Sequence, residues 1–228
     1  MREETIFALA SAAGRAGVAV FRVSGPGAAR AFVDLTRRAL PPARRAVRVR
    51  LCSPATGEVL DDGLGLWFPA PKSFTGEDVA EFHLHGGRAV EAAVTDALRG
   101  LEGLRLAEPG EFTRRAFENG KFELTAAEGL ADLVNAETEA QRRQARRQLE
   151  GELGAIYEGW RARLIEALAH YEAVIDFTDE ELPADLSQRV KHKMLGLEEE
   201  ISQHLDDNRR GERLRDGIYI AIIGAPNV

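Results

Sequence analysis

The sequence predicts an α+β unit over residues 1–118, an all-α unit over 119–215, and the first strand of an α/β domain over 216–228. Three observations carry that prediction. Short alternating runs broken by Gly and Pro fill the first half. Apolar residues spaced three and four apart dominate the second. The charge changes at the same place: residues 1–118 hold 16 basic and 15 acidic side chains, whereas 119–228 hold 14 and 22. Such a shift within 228 residues marks separate units.

In order along the chain, Val18–Val23, Val47–Leu51, Leu64–Phe68 and Val79–His85 read as strands of about six residues. Ala28–Leu40 and Arg88–Leu101 read as amphipathic helices between them. Further on, Leu149, Leu153, Ile156, Trp160, Leu164, Leu168, Tyr171 and Ile175 form one apolar stripe, which predicts a long helix. Gly151, Gly154 and Gly159 weaken it locally. Val190, Met194, Leu197, Ile201 and Leu205 repeat the pattern in a second helix, set apart by Asp179–Pro183. Finally Ile218–Ile223 is a β-rich apolar run leading into Gly224-Ala225-Pro226-Asn227-Val228. A buried strand entering a Gly-initiated loop is how a phosphate-binding loop begins; the same residues also fit a terminal strand with a turn. A parallel-type strand without a neighbour is a poor natural ending, so the chain is expected to be a piece of a longer one.

Composition narrows the function classes. A hydrophobic content of 44% supports a packed core and argues against long-range disorder. No run approaches the ~20 apolar residues of a membrane span, and the start, MREETIFALASAAG, lacks the basic and apolar regions of a signal peptide. Neither membrane insertion nor secretion is expected. The single cysteine, Cys52, excludes an internal disulfide and a multi-cysteine zinc site, in keeping with a reducing cytoplasm. A net charge of −7 argues against a chain whose whole surface binds nucleic acid.

Three segments carry candidate chemistry. In Phe74–Gly87, alternation puts Ala80, Phe82 and Leu84 on one strand face and Glu81, His83 and His85 on the other. That row suits a metal ion or a polar heterocycle, and equally a solvent-facing edge strand. In Pro109–Lys121, a Pro-Gly turn, a short helix with Phe112 and Phe117, and an Asn-Gly turn lead to Lys121, which points either into a cleft or into solvent. In Val20–Gly25, Arg22 interrupts an apolar strand. A cation there is costly unless it meets an anion or lies on an open face, so Arg22 is the best anion-binding candidate on physical grounds.

Taken together, these segments resemble the tRNA modification GTPase family called MnmE or TrmE. The resemblance runs through Thr5-Ile6, Gly14–Gly17, FRVSG, LWFPAPKSFTGEDVAEFHLHGG, PGEFTRRAFENGKFELTAAEGLADLV and Ile175–Glu181 to GAPNV. The FTGED…HGG and PGEFTRRAF…NGK pair ahead of a GxPN loop is highly specific. Departures are small: Ala12-Ala13 and Ala16 where the family favours Thr-Pro and Gly, Leu84 in place of a small residue, and Thr178 in place of Pro.

The resemblance implies an N-terminal domain similar to folate-binding aminomethyltransferases, a helical domain, and a Ras-like GTPase domain inserted in it. It implies a cytoplasmic homodimer joined through the N-terminal domains. With the flavoprotein MnmG (GidA), such proteins modify carbon 5 of the wobble uridine (U34) of certain tRNAs. They add a carboxymethylaminomethyl-type group, using a one-carbon unit from tetrahydrofolate (5-formyl or 5,10-methylene form) and GTP hydrolysis. Arg22, Glu81 and Lys121 match the family's folate-binding residues. A carboxylate such as Glu81 suits the donor edge of a pterin, and cations such as Arg22 and Lys121 suit a glutamate tail. Asn227 matches a residue that touches the nucleotide and a potassium ion; the loop starts with Gly224, Ala225, Pro226 and Val228. The family's GTP-binding lysine and magnesium ligands would lie beyond Val228, so residues 1–228 alone are expected not to hydrolyse GTP. Two other readings stand beside this one: a folate-dependent aminomethyltransferase without a GTPase role, and a metal-dependent hydrolase using Glu81, His83 and His85.

Overall fold

The computed structural model of the chain describes residues 4–176, 186–206, 210–217, 221, 223 and 224. The chain divides into two compact units, one ending at Phe122 and the other starting at Glu123.

The first unit is a six-stranded sheet in the order β3-β4-β5-β2-β1-β6. Its strands are β1 (Thr5–Leu9), β2 (Ala16–Ser24), β3 (Val47–Cys52), β4 (Val59–Phe68), β5 (Val79–Gly86) and β6 (Leu104–Leu106). All neighbours are antiparallel except β1 and β6, which run parallel. Helices α1 (Ala28–Thr36) and α2 (Arg88–Arg99) pack on one face. Alternation sends Phe21 and Val23 of β2 and Ala80, Phe82 and Leu84 of β5 into that layer. There they meet Phe32 and Leu35 of α1 and Val94 and Leu98 of α2, all essentially without solvent contact. The rings of Phe32 and Phe82 stack with centroids 5.5 Å apart. Cys52 ends β3 as a buried free thiol. A short helix, α3 (Glu111–Glu118), follows β6.

Several elements differ from their sequence expectation. The strand expected at Leu64–Phe68 starts at Val59. The helix expected over Ala28–Leu40 ends at Thr36, because Arg37 adopts a left-handed conformation and caps it. Strands β1 and β6 were not foreseen. Three-residue β6 is too short for a periodic signal, and β1 is buried along Thr5-Ile6-Phe7, so it does not alternate.

The second unit is helical: α4 (Leu124–Asn135), α5 (Glu139–Leu149), α6 (Glu152–Asp176), α7 (Leu186–Leu205) and α8 (Arg210–Asp216). Thr138 starts α5 with a capping box, accepting from the Gln141 amide while the Gln141 side chain accepts from Thr138 N–H. The stripe from Leu149 to Ile175 is not one helix. Gly151 takes φ +91° and breaks the chain between α5 and α6, where only glycine turns freely. Helices α6 and α7 meet around Ala167, Val190 and Leu197, flanked by Trp160 and Arg163 on Glu200 and by Lys193 on Glu166. Among the described residues no helix is long and apolar enough to cross a membrane. The separator Asp179–Pro183 lies outside the described residues. So do most of the strand expected at Ile218–Ile223 and the loop residues Ala225, Pro226, Asn227 and Val228.

Candidate ligand site on the open sheet face

Because α1 and α2 cover one face of the sheet, the other face carries the polar members of the same strands. Arg22 of β2 and Glu81 of β5 are direct partners across the ladder. Arg22 Nε donates to Glu81 Oε1 at 2.7 Å, and the side chains keep 24% and 14% of their exposure. Two aromatic rings close on the cation: the Arg22 guanidinium carbon lies 5.1 Å from the centroid of Phe74 and 5.6 Å from that of Phe112. The second oxygen of Glu81 faces His83 Nε2 at 3.5 Å. A planar guanidinium, a carboxylate and two rings therefore share one half-buried corner.

Phe74 and Phe112 come from different segments, which hydrogen bonds tie together. Phe74 sits in the loop between β4 and β5; Phe112 sits on α3. Gly76 turns this loop with φ +82°, and a side chain there would strike Asn119 Cβ at 3.0 Å. Asn119 Nδ2 donates to Thr75 O, and Lys121 Nζ donates to Pro71 O, both at 2.8 Å. Phe122 packs on Phe74 with centroids 6.1 Å apart.

Beneath the loop runs a buried polar network. Glu77 accepts from Ser24 Oγ at 2.6 Å and from Arg115 Nη1 at 3.1 Å, and Ser24 meets Thr75 at 2.7 Å. Arg115 also donates to Glu111 and to Glu4 O. Glu111 is buried, and Arg105 grips it with two bonds of 2.6 and 2.8 Å. The Arg105 guanidinium is the main reason that the Glu111 carboxyl is held down at about 2; burial opposes it, and the Glu108 amide and Arg115 add to it. Each buried charge faces an opposite charge and has a hydrogen bond on every polar side-chain atom, the condition under which burying it is tolerable.

The metal reading does not survive this geometry. His83 turns to Glu81, whereas His85 Nδ1 turns to Asp61 of β4 at 2.8 Å. Among the described residues no three His, Cys, Asp or Glu side chains converge as a metal site requires.

Comparison with known proteins agrees with the sequence resemblance. Residues 5–121 match the family model described as GTP-binding protein TrmE N-terminus, and residues 124–219 match the MnmE helical domain. The chain belongs to the MnmE (TrmE) family. It is similar to "tRNA modification GTPase MnmE" of Paramagnetospirillum magneticum, with 64% identity over 98% of this chain and 50% of the relative. The MnmE of Rhodospirillum rubrum is 59% identical over 100% of this chain and 52% of its own length. The human mitochondrial "5-taurinomethyluridine-[tRNA] synthase subunit GTPB3" is 54% identical over 98% and 46%. The chain thus spans about half the length of the curated relatives it matches.

Of the residues singled out from the MnmE resemblance, the structure joins Arg22 and Glu81 in one ion pair. Lys121, just after α3, is tied instead to Pro71 O in the loop that carries Phe74. Sequence reasoning missed the aromatic neighbours of Arg22 as a group, and with them Glu77, Glu111 and Arg115. The run Phe112–Phe117 holds two arginines, Arg114 and Arg115, and no local pattern says that only the second is buried.

Proposed function

We propose that this chain is the folate-binding and helical part of a tRNA-modifying GTPase, and that the corner around Arg22 and Glu81 holds a reduced folate. The first unit would then share the folate-binding fold of aminomethyltransferases. One observation carries the reading: a half-buried carboxylate, Glu81, already holds a planar guanidinium between two aromatic rings on the sheet face that α1 and α2 leave open. These residues fit the group. Glu81 accepts from the donor edge of a pterin, Phe74 and Phe112 offer apolar walls, and Arg22 and Lys121 supply cations for a glutamate tail. A bound tetrahydrofolate derivative, in its 5-formyl or 5,10-methylene form, would supply a one-carbon unit. The chain's own part is to bind and orient it.

For the whole protein, the reading is GTP hydrolysis coupled to modification of the wobble uridine of tRNA, jointly with MnmG, as a cytoplasmic homodimer paired through its first unit. GTP, magnesium and potassium belong to that activity, with Asn227 on the nucleotide and the potassium ion. The names of the relatives, "tRNA modification GTPase" and "5-taurinomethyluridine-[tRNA] synthase subunit", support this placement.

Calorimetry tests the folate site directly. Injected 5-formyltetrahydrofolate should give saturable heat, Glu81→Ala should weaken binding by about tenfold or more, the scale of one charge-assisted hydrogen bond, and Arg22→Ala should weaken it less. Absence of heat from the native chain, or wild-type affinity in both variants, would reject the assignment.

A further inference from the structure

We propose that Arg22 occupies the heterocycle position of this site when no ligand is bound, and that it must swing aside for a pterin to enter. The inference rests on the folate reading above and adds a competitor built into the fold. A guanidinium presents two N–H donors on one planar edge. The 2-amino-4-oxopyrimidine edge of a pterin is a cyclic guanidine and presents the same pair, ring N–H and exocyclic amine. In the structure, the Arg22 guanidinium already does part of what such a ring would do, with one donor of its pair engaged. Its Nε donates to Glu81 Oε1 at 2.7 Å, and its planar head lies 5.1 and 5.6 Å from the centroids of Phe74 and Phe112.

A pterin that takes Glu81 and the ring contacts displaces Arg22 from both. The freed cation then meets the carboxylates of a glutamate tail, a partner that a bare pterin lacks. Arg22 is thus an opponent of the heterocycle and an ally of the tail, and the site favours folates over free pterins. Quantitatively, a site that is open a fraction of the time binds more weakly by that fraction. If Arg22 fills it about nine-tenths of the time, removing Arg22 tightens pterin binding about tenfold.

The test compares two probes, 5-formyltetrahydrofolate and 6-methylpterin, by calorimetry on the native chain, Arg22→Ala and Arg22→Lys. Both variants should bind 6-methylpterin about three- to tenfold more tightly than the native chain and 5-formyltetrahydrofolate more weakly, with Lys losing less. On the native chain, the nitrogen-15 signal of Arg22 Nε–H, assigned by its loss in Arg22→Lys, should report its hydrogen bond without ligand and lose it when 6-methylpterin is added. Pterin affinity unchanged or lowered in both variants, or an Arg22 Nε–H still bonded with pterin bound, would overturn the inference while leaving the folate site standing. No binding of 5-formyltetrahydrofolate to the native chain would instead reject the folate reading, and this inference with it.

Discussion

Phe7, Phe21, Phe32 and Phe82 of the first unit are 0–1% exposed, whereas Leu164, Leu168, Tyr171 and Ile175 of the second are 46–68% exposed. Charges follow the same division. The first unit buries Glu111 and Arg115 inside a network tying together β2, the loop after β4, and α3. In the second, the pairs Arg142–Glu139, Arg147–Glu152 and Lys193–Glu166 all lie in solvent, where such pairs contribute little. The first unit is therefore held by buried polar and apolar contacts between distant segments, whereas the charged pairs of the second lie at its surface. A ligand site that needs ångström precision belongs on the first kind of scaffold.

The largest test of this contrast is Arg115→Met. Removing it leaves Glu77 and Glu111 short of a buried partner, which should cost about 3–5 kcal/mol. Each unit contains one tryptophan, Trp67 and Trp160, so urea unfolding followed in single-tryptophan chains separates them. The Trp67 transition should shift strongly and the Trp160 transition hardly at all. Equal shifts would mean that the two units unfold as one.

Acid sharpens the comparison next. Glu111 and Glu139 both have carboxyls held at about 2, the first chiefly by Arg105 and the second chiefly by Arg142, with Arg143 adding to it. A carboxyl depressed in the folded state stabilises above its ordinary pKa, and that contribution disappears as pH falls from about 4.5 toward 2. For buried Glu111 it is on the order of 3 kcal/mol. The Glu139 side chain is 56% exposed, so salt screens its pairs. Between pH 6 and 3, then, the Trp67 transition should weaken to a similar degree at low and high salt. A loss that vanishes in high salt would place the Glu111 cluster in solvent.

The same division explains what could be read in the sequence. Strands with strict alternation, such as Val79–His85, were legible because one face is buried and the other is not. Arg22 was legible because a cation in an apolar strand demands a reason. The partners that give it meaning were not: Phe74 and Phe112 reach it from 52 and 90 positions away. Arg115 joins Glu4 across 111 positions and Glu77 across 38, and no local pattern encodes such pairings. In the helical unit periodicity found α6 and α7 but not α4, α5 or α8, and it read the first stripe as continuous through Gly151 because period carries no information on φ. Nor does a stripe say whether it is covered.

That last point yields the smallest prediction. Leu168 sits in the middle of the stripe and its spacing alone would make it a core residue, for which truncation to alanine costs about 2–5 kcal/mol. At 58% exposure it has little burial to lose, so Leu168→Ala should change the Trp160 transition by no more than about 0.5 kcal/mol. Phe82→Ala, at 0% exposure, is the matched control and should cost about 3–5 kcal/mol at Trp67. A Leu168→Ala loss of core size would show that the stripe is buried in solution. Repeating the titration over a hundredfold range of protein concentration would then distinguish a second copy, whose contribution grows with concentration, from a cover within the same chain, whose contribution does not.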